Sequence, residues 1–382
     1  MSSAVIIIGG GISGTAAAWE LAKNGIPVTL LEKGDLASMA SGWTLAGVRQ
    51  SGRHPAELPL AEAAVRRWER LADELGTDVE YRQHGNLRLA LTEDEVETIK
   101  QVVADGNAAG IETVYLDGVE AVQAVAPALT TDLAGASYCA TDGHANPQKA
   151  VEAFAAAARR AGADIRTGVE VQGIETAHGR VTGVRTSDGV LPADRVIVAA
   201  GVFTPTLLEP LGIEVPIDIT LVGAVQSDAV EPMLEQVLGV ASGGIAGRQQ
   251  VDGRFRMTGA TIPWGETRQT AGNVMPTWQQ LQSTIEASIR LVPALARIRI
   301  AQVWAGLIDK TPDALPVIEA TPEVEGLVIA TGFSGHGFCL GPVTGEILAD
   351  LAVEGATRHP IAPFARSRFD GGYTPDAITL HG

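Results

Sequence analysis

Cysteine is almost absent: Cys139 and Cys339 are the two in 382 residues. Two thiols cannot staple a chain of this size, so a disulfide-built secreted fold is excluded and a reducing compartment is the simpler setting. Charged residues are also scarce, at 19%, below the usual share of about a quarter. A disordered chain needs high charge and low hydrophobicity, and is excluded as well. Basic residues number 28 against 45 acidic, a net charge of −17. Nucleic acid, bound through an excess of Lys and Arg, is not an expected partner. A polybasic patch for a membrane surface is missing. No apolar run approaches the ~18 residues of a membrane span. The start, Met1-Ser2-Ser3 before Ala4-Val5-Ile6-Ile7-Ile8, lacks the basic stretch and longer apolar core of a secretory signal. A cytoplasmic protein without a membrane span is expected, and no metal is expected in its site.

What is present is apolar and rich in glycine. Apolar residues make up 46%, over a length that allows two or three domains. The 44 glycines follow no three-residue period, which excludes collagen and leaves turns and close backbone approaches. Residues 4–8 read as a buried strand, too apolar to alternate. A helix runs to about Asn24, with Gly25 as its cap, and 27–32 read as a second buried strand. Helical spacing covers 56–75. A strand near 86–91, a helix near 92–109, a strand near 135–140 and an Ala-rich helix over 147–162 follow, the last entered through Asn146-Pro147. Strands 169–176 and 181–186 flank a turn at Gly179-Arg180-Val181, and 194–200 is a buried strand closed by Gly201. The stretch 216–304 differs: alternating segments at 217–226, 245–250 and 254–260 and one helix at 278–291 predict an antiparallel sheet. A buried strand at 326–331, a glycine-rich loop at 332–337 and a helix from about Pro342 to Leu351 follow. Nucleotide-type elements thus stand at both ends and the centre, separated by two insertions. The class is α/β.

Gly9-x-Gly11-x-x-Gly14 sits between the first strand and its helix. Gly9 makes the tight turn, Gly11 lets the backbone approach a pyrophosphate, and Gly14 allows close helix–strand packing. The helix start, with Ile12 and Ser13, offers free N–H groups and a positive dipole end to phosphates. Glu32 ends the second strand, at the distance past Gly14 where a carboxylate accepts both ribose hydroxyls; Lys33 adjoins it. This fingerprint alone does not separate NAD from FAD. Two later segments favour FAD: Val196–Gly201, with Ala200 and Gly201 at its turn, and Ala330–Phe338. A second helix N-terminus aimed inward suits the electron-rich edge of a reduced flavin. The alternative is two ordinary strand–glycine–helix corners.

These segments resemble the D-amino-acid-oxidase-like superfamily of FAD amine oxidoreductases, which holds glycine oxidase, monomeric sarcosine oxidase, the β subunit of heteromeric sarcosine oxidase, and proline and opine dehydrogenases. The similarity covers nearly the whole chain. Its most specific pieces are the amino-terminal fingerprint, Val196–Gly201, Trp304-Ala305-Gly306-Leu307 with Thr311-Pro312-Asp313 and Leu315-Pro316, and Gly332–Phe338. The resemblance implies a Rossmann-like FAD-binding domain assembled from 1–85, 145–215 and 305–382. It further implies an α+β substrate domain with an antiparallel sheet from 86–144 and 216–304. Gly9, Gly11, Gly14 and Glu32 would hold the ADP part, Ser41 and Gly42 would pass near the pyrophosphate and flavin, and Val171 would meet adenine through its backbone. Gly335, His336, Gly337 and Phe338 would line the isoalloxazine. Gly306 stands where monomeric sarcosine oxidase carries its covalent cysteine, which implies non-covalent FAD. His144 lies in a stretch comparable to the flavin-tethering His of heteromeric sarcosine oxidase; a His at a helix entry is the other reading.

The reaction implied is oxidation of a C–N bond beside a carboxylate: hydride passes to flavin N5 and the imine is hydrolysed. The substrate would be an amino acid or an N-substituted amino acid, sarcosine-, proline- or opine-like. The alternatives are a glycine or D-amino-acid oxidase, and a non-catalytic FAD-binding subunit of a heteromeric dehydrogenase, so a second subunit is a candidate partner. The family's carboxylate clamps are replaced here by Ile308 and Cys339. Arg53 is then the leading carboxylate ligand, with Arg49 beside it, because a planar guanidinium binds a carboxylate bidentately; surface loop charges are the other reading of both. Arg254 and Arg256, alternating on one strand, read by default as solvent-facing. Cys339 reads as a small buried filler at a helix start, and Cys139 as inert.

Overall fold

The computed structural model describes residues 5–265 and 274–371. Ala4 of the first expected strand and the tail of the last expected segment lie outside the described residues. Val5–Ile8 is buried throughout and pairs in parallel with Val28–Glu32 on one side and Arg195–Val198 on the other. Leu327–Thr331 joins beyond Arg195–Val198, and the short strand Asp164–Thr167 beyond Val28–Glu32. With the antiparallel edge Val317–Ala320 this makes a six-stranded sheet. Strands buried on both faces read as unbroken apolar runs, which is why four of these six were visible as sequence.

The crossover Ile12–Lys23 packs on this sheet beside Pro147–Arg160 and Gly337–Glu354. The last helix begins earlier than expected, at Gly337 and not Pro342. Proline forbids one backbone bond and normally marks a first turn, so Pro342 misleads. The early turns hold because Gly341 and Gly345 let the helix press onto Ile12 and Ala16, where a Cβ at either glycine would collide. Trp68 Nε1 also donates to the Cys339 carbonyl at 2.8 Å, and Arg67 Nη1 to the Pro342 carbonyl at 2.8 Å.

The two insertions join in one eight-stranded sheet. Asp218–Ala229 lies between Ile300–Lys310 and Arg254–Pro263, which pairs with Ile245–Gln249. Val237–Val240 follows, and Asn86–Ala90, Gly135–Cys139 and Val114–Asp117 complete the order. Every pair is antiparallel except Val237–Val240 with Asn86–Ala90, the seam between the insertions. The expected all-antiparallel sheet is corrected at this seam: Val237 and its partner Asn86 come from separate insertions, and no local turn imposes antiparallel order. The expected turn at 179–181 is His178-Gly179, with φ of 52° and 72°. Two left-handed residues match the twist of a two-residue hairpin, and Arg180 already belongs to the strand. The strands Val114–Asp117 and Ile300–Lys310 escape the sequence reading; the first is half-exposed and lacks a full apolar face.

Arg67 sits buried among three helices, ion-paired with Glu20, with Glu346 at 3.3 Å and with Glu74 at 3.6 Å. Removing one member of a buried network strands the others' charge. Arg67→Ala should cost about 3–5 kcal/mol in urea unfolding, whereas Arg66→Ala, at an exposed pair, should change it by less than about 1 kcal/mol.

Candidate functional site

The carboxyl ends of Val5–Ile8, Arg195–Val198 and Leu327–Thr331 open toward a cavity of ≈ 310 Å³ whose far wall is the eight-stranded sheet. That is where ligands bind in an open α/β sheet. Gly11, Ile12 and Ser13 line it, with Ser41, Gly201 and the bend Gly335-His336-Gly337-Phe338. Helix starts from opposite ends of the chain therefore share one cavity.

The glycines meet the demands that their positions set. Gly9 has φ 114°, and a Cβ there would strike the Ala199 carbonyl; a Cβ at Gly14 would strike the carbonyl of Gly9. At Gly11 it would lie 2.9 Å from Ser41 Oγ, which accepts the Ile12 N–H at 3.0 Å. Gly42 packs on the Ala37 carbonyl in the same way. The Glu32 carboxylate accepts the N–H groups of Gly10 and Gly34, each at 2.7 Å, and so is fixed against the fingerprint turn. The residues fit an adenine dinucleotide: a helix start at the cavity, glycines where a side chain would fill the space, and an acid at the second strand's end. FAD would lie with its phosphates over Gly11–Ser13 and its ring toward Gly335–Phe338.

Three other expected cofactor residues, Ala200, Lys33 and Val171, are not among the described residues lining the cavity. Ala200 adjoins Ala199, which lines the cavity. Lys33 lies over the Phe203 ring, 3.1 Å from its centre, and burial lowers its pKa. Val171 is buried at the start of its strand, just after Val169, whose N–H bonds the Glu32 carbonyl.

Arg49 and Arg53, whose alternative reading was surface charge, are interior. Arg49 is 5% exposed and donates to the Ser51 carbonyl at 2.6 Å. Arg53 Nε donates to the Arg49 carbonyl at 3.2 Å, and its Nη1 lies 3.5 Å from Glu57 Oε2. Glu57 is fully buried, with His336 Nδ1 at 3.1 Å. Burial alone would raise its pKa, but His336 and Arg53 hold it at about 2. His336 is pushed down to about 4 by burial and by Arg53, against the opposing pull of Glu57. At neutral pH the pair is thus a carboxylate facing a neutral imidazole, whose Nδ1 carries the proton. Asp142, also buried, accepts the Ser51 hydroxyl and the Gln50 N–H, the latter at 2.8 Å.

The sheet wall adds residues that the sequence did not single out: Asn86, Arg88, Thr258, Thr261 and Asp309. Arg88 sits in Asn-Leu-Arg-Leu-Ala, where alternation marks a strand but not which face meets a cavity. Asp309 accepts the Thr331 hydroxyl at 3.1 Å and the Gly332 N–H at 2.6 Å, tying the sheet to the glycine bend. Trp304, Phe333 and Phe338 are cavity walls.

Arg254 is exposed beside Asp252, as expected, but Arg256 turns inward. It donates to the Thr44 carbonyl at 2.7 Å and lies 5.0 Å over the Trp304 ring, contacts that compensate for burial. His144 lies in the two-residue strand Gly143–His144 and not at the helix entry, which Asn146 caps. Arg248 faces its Nδ1 at 3.0 Å, and His144 is not among the described residues lining the cavity. Cys339 is buried with its sulfur 3.5 Å from the Arg49 carbonyl, and burial raises its pKa; burial likewise pushes Cys139 up to about 11. Among the described residues no group of three His, Cys, Asp or Glu is placed to hold a metal, and no helix is long and apolar enough to cross a membrane.

This combination defines a flavin-type dinucleotide fold with a buried cationic site over the ring position. The family model described as FAD dependent oxidoreductase matches residues 4–351, and the chain belongs to that family. It is 32% identical to sarcosine oxidase subunit beta of an Arthrobacter species, over 97% of this chain and 92% of the relative. L-proline dehydrogenase from P. horikoshii superposes with a TM-score of 0.89 at 30% identity, covering 98% of this chain and 99% of that one. Glycine oxidase from Geobacillus kaustophilus does so with 0.89 at 26%, covering 97% and 100%. The protein is an FAD-dependent oxidoreductase of amine or amino-acid C–N bonds.

The neutral state of His336 has a measurable consequence. Its pKa of about 4 lies below the ordinary 6.5. The unfolded chain therefore takes up a proton that the folded one refuses, and stability falls as pH drops from 6.5 toward 4. Ring ¹⁵N shifts of His336 should remain those of a neutral Nδ1–H tautomer at pH 5, and His336→Gln should flatten the loss of urea stability between pH 7 and 5.

Proposed function

We propose that the chain oxidises the C–N bond of an N-substituted amino acid, sarcosine-, proline- or opine-like. The imine formed is released to hydrolysis. The observation that carries this reading is the cavity itself, where buried guanidiniums stand beside the Gly335–Phe338 bend and the remaining wall is largely apolar. A guanidinium takes the carboxylate. Trp304, Leu307 and Ile308 offer an apolar surface to an N-alkyl group. A cationic, desolvated wall disfavours an ammonium, so the amine enters neutral, with the lone pair that drives hydride loss. Bound FAD supplies the two-electron acceptor. The segments of the six-stranded sheet would form its binding domain, and the absence of a cysteine at Gly306 supports non-covalent attachment. The Arthrobacter relative is by name one subunit of an oxidase, and a second subunit is proposed here on that likeness.

Anaerobic addition of substrate to the purified flavoprotein tests the reading. N-methylglycine, proline or an N-carboxyalkyl amino acid should bleach the flavin faster than glycine or D-alanine. The reverse order would assign a primary amino-acid oxidase. Flavin that no amine bleaches, with any partner subunit present, would assign a non-catalytic FAD-binding role.

A further inference from the structure

Asn86 opens the strand Asn86–Ala90 inside the eight-stranded sheet, paired with Val237 on one side and Cys139 on the other. Asparagine is depleted in strands, and an inner strand gives it no way round to solvent. Alternation divides the strand between its two faces. Leu87 and Leu89 are fully buried in an apolar cluster, whereas Asn86 lines the cavity while only 6% exposed. Its flanking residues give the carboxamide nothing: Val237 is apolar, and the Cys139 sulfur is engaged with Thr141 Oγ1 at 3.3 Å. Among the described residues the Asn86 side chain has no hydrogen-bond partner. A buried polar side chain in that state is rare in a folded protein and calls for a ligand.

The rest of the wall shows which ligand atom that is. Arg49, Arg53 and Arg88 line the same cavity, and a guanidinium only donates. Several oxygens of the wall already accept from the protein itself. Asp309 takes the Thr331 hydroxyl and the Gly332 N–H, and Ser41 takes the Ile12 N–H. Thr44 Oγ1 takes the Ala46 N–H at 3.1 Å, and Ser334 Oγ takes the Thr311 N–H at 3.3 Å. An N-substituted amino acid brings a carboxylate, which needs donors, and one amine N–H, which needs an acceptor. The Asn86 carboxamide oxygen is a buried acceptor with no other claim on it. Being neutral, it can take an N–H without favouring the ammonium over the free amine.

We infer that Asn86 is a specificity-determining residue of this site: its carboxamide oxygen accepts the amine N–H of the bound amino acid. It thereby favours secondary amines, which have an N–H to give, over tertiary amines, which have none. This rests on the amino-acid reading above and deepens it by naming the group that reads the nitrogen.

Pyrrole-2-carboxylate and furan-2-carboxylate are the probes. They share a planar five-membered ring and a carboxylate, and differ in a ring N–H against a ring oxygen. Titrated against the FAD-loaded full chain by flavin absorbance perturbation or calorimetry, the pyrrole should bind about 3- to 10-fold tighter, the range of one neutral hydrogen bond. Asn86→Leu, apolar and of similar shape, should bring the two ligands to parity and leave furan binding unchanged. Should Asn86→Leu fail to fold, Asn86→Ala should show the same parity. A pyrrole preference that survives either substitution overturns the inference. So does equal weakening of both ligands, which a contact with the carboxylate or a merely structural role would produce, and so does a native chain that binds the two alike or binds neither. Loss of FAD from folded Asn86→Leu and Asn86→Ala would give the residue to the cofactor and overturn it as well. The comparison needs no turnover: absence of bleaching by any amine would sink the proposed reaction and leave the pyrrole preference to judge Asn86 alone.

Discussion

The cavity exists because two helices from opposite ends of the chain touch backbone to backbone. Gly341 and Gly345 press Gly337–Glu354 onto Ile12 and Ala16, at a separation that no side chain would allow. Close packing of this kind gains many small dispersion contacts and tolerates no added methyl group. Its geometric result matters more than its energy. Two helix starts, Gly11–Ser13 and Gly335–Phe338, are brought to one opening. Donors that would face a phosphate and a positive end that would face a flavin edge thus come from segments remote in sequence. Arg67 secures the same junction from the side, binding a carboxylate of each helix and the carbonyl of Pro342 within the second.

A second set of links ties the eight-stranded sheet to the loop over the cavity. The carbonyls of Trp43, Thr44 and Leu45 are taken by Trp304, Arg256 and Arg248, all on that sheet. Asp309 joins the sheet's edge to the bend at Gly332. A site built between two layers would ordinarily breathe with them. Here consecutive backbone groups on one side are held by side chains from the other, so the layers position each other. Satisfying these carbonyls also removes the cost of burying polar backbone at the interface.

Much of this was legible beforehand, for identifiable reasons. Unbroken apolar strands and the glycine fingerprint announce the parallel sheet, because both faces are covered and each glycine answers a steric demand. The Asn146 cap and the chain reversal near Gly179 are local and were readable in place. What was hidden was non-local. Pro342 looks like a helix start until Arg67 and Trp68, from an early helix, show what stabilises the turns before it. Arg256 looks like a solvent-facing strand residue until the Trp304 ring shows that it is buried, and nothing singles out Arg88 until the cavity wall is seen. Glu57 carries no motif at all; its meaning comes from His336 and Arg53, which the fold sets against it.

The parallel seam carries a further implication for biogenesis. Asn86–Ala90 emerges early, yet its neighbour on one side, Val237–Val240, is made much later. The central parallel strands likewise wait for Leu327–Thr331. Pairings of such sequence separation are slow to close and leave edges bare meanwhile. Neither layer can therefore close before its late strands, Ile300–Lys310 and Leu327–Thr331, are made. Flavin capture thus waits on the last parallel strand and on the glycine bend that follows it.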